Sequence, residues 1–259
     1  MICQAVFLYL ACKSLLILLL KTETMYKPPK IYRHLFIDLD KTLWDFDSNS
    51  RETFAEIFSH HQLQQRGITD LDRFLGIYNH FNEMLWTIYR QNGIRKEALN
   101  IRRFEMTLQE FGIIDPALAA MIAEDYILLS PKKTILFPYT QDALTYLGKK
   151  YPLHLITNGF EEVQQPKLDA SDLRRHFTTV TTSEEAGVKK PEEGIFRLAL
   201  QKAKAEAGES LMIGDDLQVD MEGARKLGMD TLYFNPTRIT HQEMVTFEIT
   251  SWSQIRKIL

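Results

Sequence analysis

The rhythm of apolar and polar positions changes twice along this chain. A short apolar run, roughly Tyr32 to Asp38, reads as a buried strand. Beyond it, for about ninety residues, apolar side chains recur at three- and four-residue spacing, as in Phe54, Ile57 and Phe58 and again in Phe74, Ile77, Tyr78, Phe81 and Leu85. Leu99, Phe104, Met106, Leu108 and Phe111 continue that pattern, Gly112 is a plausible stop, and Pro116 to Leu129 reads as another helix. Four or so helices with no strand between them are expected to make a bundle of their own.

From Phe137 strands and helices alternate, the signature of a parallel sheet with crossover helices. The expected strands are Leu153–Thr157, Thr178–Thr182, Leu211–Gly214 and Thr231–Phe234, with Thr246–Ile249 as an edge strand before a terminal helix. The expected helices are Thr140–Lys149, Glu161–Leu168, Glu193–Ala205 and Leu217–Leu227. The fold class is therefore α/β: a Rossmann-like parallel sheet core, residues 25–47 and 131–259, with an inserted α-helical cap, residues 48–130. Residues 1–24 are set aside as an apolar extension. Its stretch from Ala5 to Leu20 falls short of the roughly 20 residues that span a bilayer and lacks the flanks of a signal peptide. Met25 reads as the natural start, which argues against a membrane partner and for a cytoplasmic protein.

Charge narrows the partner. Among 259 residues, 31 basic and 34 acidic side chains leave a formal net charge of -3 with no basic run, which argues against a nucleic-acid polymer and leaves room for a small anion in a locally positive pocket. The two cysteines, Cys3 and Cys12, lie in the N-terminal extension, so the remainder has no disulfide framework or cysteine metal site.

The candidate chemistry gathers at strand ends, where open α/β sheets bind ligands. Asp38 and Asp40 are two apart and point the same way from an extended chain; such a pair repels unless a cation or a shared proton intervenes, and a divalent metal is the simplest resolution. Thr157-Asn158-Gly159 ends the second core strand with a hydroxyl and an amide suited to phosphate oxygens. Lys190-Pro191 is expected to open a helix, with Lys190 just outside it to neutralise an anion. Asp215 and Asp216, then Asp220, follow the next strand, and Asp215 could complete a metal site.

In order, these four clusters resemble the haloacid dehalogenase superfamily over approximately residues 32 to 236, with a small helical cap between the first two motifs. Asp40-Lys41-Thr42-Leu43-Trp44-Asp45, Ile156-Thr157-Asn158-Gly159-Phe160 and the stretch from Ser183 to Pro191 look most like pyrimidine 5'-nucleotidases that also clear damaged or modified nucleotides. The resemblance implies that Asp38 is a nucleophile forming an aspartyl-phosphate, and that Asp40 is the general acid and then the base. It further implies that Thr157 and Asn158 hold phosphate oxygens, that Lys190 offsets charge between nucleophile and phosphate, and that Asp215, Asp38 and the Asp40 carbonyl bind Mg²⁺. The implied activity is hydrolysis of a small phosphate monoester, foremost a pyrimidine nucleoside 5'-monophosphate. Sugar phosphates or a mutase reaction are the alternative, and a non-catalytic phosphate-ligand binder is the remaining class.

Other residues carry blander readings. Asp216 and Asp220 are either close to the metal or helix-start acids favoured by the dipole. His60-His61 reads as exposed helix histidines, and Arg102 and Arg103 as solvent-facing. Trp44, Phe81, Trp86 and Tyr89 read as core, Trp44 being the best placed of them to stack on a base. Gln91-Asn92-Gly93 is a tight turn able to reach the leaving group, and Lys96 is the one evident candidate for Schiff-base chemistry.

Overall fold

Strand β1 (His34–Ile37) is at the centre of the sheet because Leu35, Phe36 and Ile37 are apolar on both faces, the pattern of a strand covered on both sides. It pairs in parallel with β2 (Leu153–Thr157) on one side and β4 (Ser210–Gly214) on the other. β3 (Phe177–Thr182) lies outside β2, while β5 (Asp230–Phe234) and β6 (Phe247–Ile249) extend the other edge, giving a six-stranded parallel sheet in the order β3-β2-β1-β4-β5-β6. Alternate residues sort to opposite faces: Leu35, Ile37, Leu155, Leu211, Ile213 and Leu232 pack in one apolar layer, and Phe36, Ile156, Met212 and Tyr233 in the other. Chain order reverses between β1 and β4, the kind of switch point where α/β sheets open a crevice. This is a computed structural model describing residues 30–259, with Tyr32–Leu259 as one compact unit. The extension 1–24, its cysteines and the expected start at Met25 lie outside the described residues.

Between β1 and β2 run α1 (Phe46–His60), α2 (Leu71–Arg90), α3 (Lys96–Gln109) and α4 (Pro116–Leu129). Aspartates start three of them, Asp45, Asp70 and Asp115 each accepting a first-turn backbone N–H, and Pro116 occupies the first turn of α4, where its missing N–H costs nothing. Their apolar stripes meet around Phe54, whose ring lies 5.1 Å from that of Phe74 and 4.6 Å from that of Tyr78. Among the described residues no helix is long and apolar enough to cross a membrane.

The sheet is covered by α5 (Thr140–Leu147), α6 (Glu161–Ala170), the single turn α7 (Ser183–Ala186), α8 (Glu193–Ala203) and α9 (Gly223–Lys226). Two expectations need correction. The helix expected over Leu217–Leu227 starts as a π-helical turn, Leu217–Glu222, because the Asp216 carbonyl accepts from both Asp220 (2.9 Å) and Met221 (3.2 Å); such widened turns recur at functional sites. Pro191 does not open a helix: α8 begins at Glu193, and Lys190-Pro191 lies in the turn before it.

Candidate active site

Leaving β1, the chain pairs Asp38 N–H with Ile213 O at 2.9 Å and then turns sharply, Leu43 and Trp44 both donating to the Leu39 carbonyl. Lys41 takes a left-handed φ of 61° in that turn, and Trp252 Nε1 pins it by donating to Thr42 O at 2.9 Å. Asp38 is thereby buried at the sheet's carboxyl edge, beside the end of β4. Lys190 Nζ donates to Asp38 Oδ1 at 2.5 Å, to Asp220 Oδ1 at 2.6 Å and to Ile156 O at 3.0 Å. Thr42 Oγ1 donates to Asp215 Oδ1 at 2.9 Å and lies 3.4 Å from Asp38 Oδ2. Asp38, Asp215 and Asp220 each present a carboxylate oxygen within 4.8 Å of the others. Gly214 permits this, since a Cβ there would lie 2.3 Å from Asp220 Oδ2.

Three carboxylates and one ammonium leave the cluster with an excess of negative charge. Burial pushes the Asp38 carboxyl up to about 7; Lys190 pulls against that shift, while Asp220 and Asp40 add to it. Asp215 is held well above the usual carboxylate range by burial and by the charges of Asp38 and Asp220. Burial alone would lower Lys190, but Asp220 and Asp38 outweigh it and keep the ammonium charged. A hard divalent cation with oxygen ligands suits such a donor set, and the Asp40 carbonyl, which accepts no hydrogen bond from the described residues, adds a neutral oxygen. The sequence left Asp216 and Asp220 undecided, and the structure separates them. Asp216 caps the π turn through Gln218 and Val219, while Asp220 belongs to the buried cluster.

Asp40 faces a different set of partners. Its carboxylate takes Lys167 Nζ on Oδ1 at 2.6 Å and Gln164 Nε2 on Oδ2 at 2.7 Å. Gln164 also donates to Thr157 Oγ1 at 2.8 Å, so Thr157 and Asp40 are bridged by one amide. Gly159 makes room for it, because a Cβ there would sit 1.9 Å from Gln164 Nε2. Lys167 is buried, with its ammonium 4.0 Å over the Trp44 ring. Neither Gln164 nor Lys167 was singled out from the sequence. The available signal was their place with Leu168 at i, i+3 and i+4 on the inner stripe of α6, where a polar residue must have a partner.

Asn158 lies next to Lys190, but its side chain is engaged there: Oδ1 accepts from Lys190 N at 2.8 Å and Nδ2 donates to Lys190 O at 3.0 Å. The amide thus fixes the backbone that carries the ammonium, a bond the sequence reading did not anticipate.

Asp38, Asp40, Thr157, Asn158, Lys190 and Asp215 all line one cavity of about 420 Å³, whose far wall comes from the helices and includes Asn82, Trp86, Asn100, Arg103 and Tyr126. Trp44 is fully buried, its Nε1 bonded to Lys133 O at 3.0 Å, and is no stacking surface. Arg103 is buried rather than solvent-facing. Asn92 meets Lys189 at 2.7 Å instead of reaching the cavity. Lys96 is held between Glu162 and Glu184, both at 2.7 Å; these acids outweigh burial and raise its pKa, contrary to what a Schiff-base lysine needs.

A family model described as haloacid dehalogenase-like hydrolase matches residues 32–228. Pyrimidine 5'-nucleotidase PynA of Streptococcus pneumoniae is 27% identical over 228 residues, covering 86% of this chain and 93% of the relative. Pyrimidine 5'-nucleotidase YjjG of Escherichia coli is 27% identical over 230 residues, 87% of this chain and 96% of the relative. The crystal structure of the putative HAD-hydrolase YfnB of Bacillus subtilis, described as bound to magnesium, superposes with a TM-score of 0.79 at 25% identity, covering 88% of this chain and 99% of that one. With the family model matching most of its length and the acidic cluster at the carboxyl ends of β1 and β4, the chain belongs to the haloacid dehalogenase-like hydrolases.

Proposed function

We propose that this hydrolase is a Mg²⁺-dependent phosphatase of pyrimidine nucleoside 5'-monophosphates, with the helices over residues 48–130 acting as a cap over the cavity. The observation that carries the reading is the buried Asp38 carboxylate, bonded to Lys190 at 2.5 Å and flanked by Asp215 and Asp220, in the same cavity as Asp40. The reported activity of PynA and YjjG, two pyrimidine 5'-nucleotidases alignable over nearly their whole lengths, supports the choice of substrate. A nucleotide substrate favours a cytoplasmic site of action.

Asp38, Asp215, Asp220 and the Asp40 carbonyl would hold the ion, which when bound neutralises phosphate charge and lets a carboxylate approach a phosphate dianion. An Asp38 oxygen attacks phosphorus as the P–O5' bond breaks. Asp40, entering the step protonated, delivers that proton to the departing O5', releasing the nucleoside and leaving an aspartyl-phosphate on Asp38. Asp40 then takes a proton from water as the water oxygen attacks phosphorus; the P–O bond to Asp38 breaks and inorganic phosphate leaves. Lys190 balances charge on Asp38 throughout, Thr157 keeps its own O–H free to donate to a phosphate oxygen, and Lys167 with Gln164 orients Asp40. General acid–base help of this kind contributes about 10² to 10⁴ in rate.

Phosphate release from dUMP, dTMP and UMP, set against purine nucleotides and hexose phosphates with and without Mg²⁺, tests the proposal. A preference for the pyrimidine esters that needs the metal is expected. Equal rates across the panel would overturn the nucleotidase reading, and preference for a hexose phosphate would replace it with the sugar-phosphate one.

A further inference from the structure

Three cationic side chains are buried in the described residues, and two of them have acids. Lys190 is paired with Asp38 and Asp220, and Lys167 with Asp40. Among the described residues Arg103 has no carboxylate in ion-pair contact, although only 4% of it is exposed. Its guanidinium meets neutral oxygens alone: Nη1 donates to Asn82 Oδ1 at 3.0 Å and to the Tyr78 hydroxyl at 3.1 Å, while the contacts from Nε and Nη2 to Asn100 O and Oδ1 are long, at 3.4 Å each. It lies 4.9 Å from the Tyr126 ring centroid and 5.0 Å from that of Phe104, aromatic faces that favour a cation without neutralising it. An uncompensated buried cation is costly to keep.

The arrangement also dictates what faces the cavity. Because Arg103 has only N–H groups to offer, it turns the Asn82 oxygen towards it at 3.0 Å, with the Asn100 oxygen more loosely placed at 3.4 Å, and neither Asn82 Nδ2 nor Asn100 Nδ2 meets an acceptor among the described residues. Asn82, Asn100 and Arg103 all line the cavity that holds Asp38 and Asp40. The groups these three residues have available are therefore donors, and they carry one positive charge. We propose that Arg103, Asn82 and Asn100 form a donor-only subsite that grips acceptor oxygens at the far end of the leaving group, the end remote from the scissile phosphate. The chemistry fits a pyrimidine carbonyl such as O2, which the pyrimidine bases share, and equally a second phosphate. This deepens the nucleotidase reading and rests on the cavity proposed for it.

The experiment compares kcat/KM for three esters, dUMP, 2-deoxyribose 5-phosphate and fructose 1,6-bisphosphate, in the wild type, Arg103→Met and Asn82→Asp. The wild-type rates alone test the nucleotidase reading; the variant-to-wild-type ratios test the subsite. Arg103→Met is expected to lose about 10- to 100-fold more on an ester with a distal acceptor than on 2-deoxyribose 5-phosphate, the scale of a charged hydrogen bond. Excess loss on dUMP identifies a base carbonyl as the occupant, and excess loss on the bisphosphate identifies a second phosphate. Asn82→Asp supplies Arg103 with its missing anion, so it is expected to raise Tm while erasing the same preference. Equal losses on all three esters in Arg103→Met, or full preference retained in Asn82→Asp, would overturn the subsite and leave Arg103 as a support for the aromatic core.

Discussion

Asp215→Asn should make the metal-free protein more stable while depriving it of its response to Mg²⁺. Asp215, Asp38 and Asp220 present oxygens within 4.8 Å of one another, and Lys190 is shared between the latter two. Asp215 therefore faces two negative charges and one positive charge, a net of about one. Two unit charges at that separation repel by roughly 3.5 kcal/mol at an effective dielectric of about 20. Asparagine is nearly isosteric and can still accept the Thr42 hydroxyl that Asp215 Oδ1 accepts at 2.9 Å, so little else is lost. Urea unfolding in the presence of a chelator should show a gain of about 2 to 4 kcal/mol at about pH 8. The sign of the pH dependence follows from the raised Asp215 pKa. The native carboxyl keeps a proton that the unfolded chain has released above about 4, so wild-type stability falls as pH rises from there through the native pKa. The variant lacks that contribution, and its advantage should shrink towards about pH 5. Excess Mg²⁺ should then stabilise the wild type, by about 2.7 kcal/mol at a hundredfold excess over its Kd, and stabilise the variant much less. An Asp215→Asn protein no more stable than wild type in chelator at the higher pH, or with the same gain at both pH values, would refute this account of the cluster.

Other outcomes test separate parts of the site. Asp38→Asn should reduce phosphate release by at least about 10⁴-fold while leaving the circular dichroism spectrum unchanged; retained turnover would mean that another group attacks phosphorus. Lys167→Met should lower kcat about 10- to 100-fold more for dUMP than for p-nitrophenyl phosphate, whose leaving group departs without a proton. A loss equal for both esters would show that Lys167 merely supports α6. Burial, helped by the neighbouring His34, pushes His154 down to about 4 from 6.5. The unfolded chain therefore takes up that proton first, and the contribution, complete above about 6.5, is lost as pH falls through that window. His154→Gln should flatten the acid limb of the urea stability curve, and an unchanged limb would count against a buried neutral imidazole.

How much of this was legible in the chain differs from residue to residue. The termini of β2 and α4, Leu153–Thr157 and Pro116–Leu129, are marked in the sequence itself, because an apolar run between turn residues and a Pro at a helix start are local signals. Asp38, Thr157, Lys190 and Asp215 stood out for a related reason: each lies at the end of a strand or beside a helix start, and parallel strands put such ends along one edge of the sheet. Lys167, Gln164 and Arg103 did not stand out, since their importance depends on partners 127, 124 and 21 positions away. A lysine on α6 or the second arginine of Arg102-Arg103 is an ordinary helix residue until the opposite surface is known.

By itself, then, the amino-acid order determined the α/β class, the helical insertion after the first strand and the strand-end positions of the acids, because periodicity and turn chemistry act over a few residues. Only the tertiary structure decided that Asp220 joins Asp38 and Asp215, that Asn158 holds Lys190 by its backbone, that Asp40 is held by Lys167, and that Trp44 is buried while Arg103 faces the cavity. The physical reason is that charge and desolvation depend on through-space neighbours. A carboxyl pushed up to about 7 and a buried guanidinium bonded to neutral oxygens are properties of what the fold packs around them.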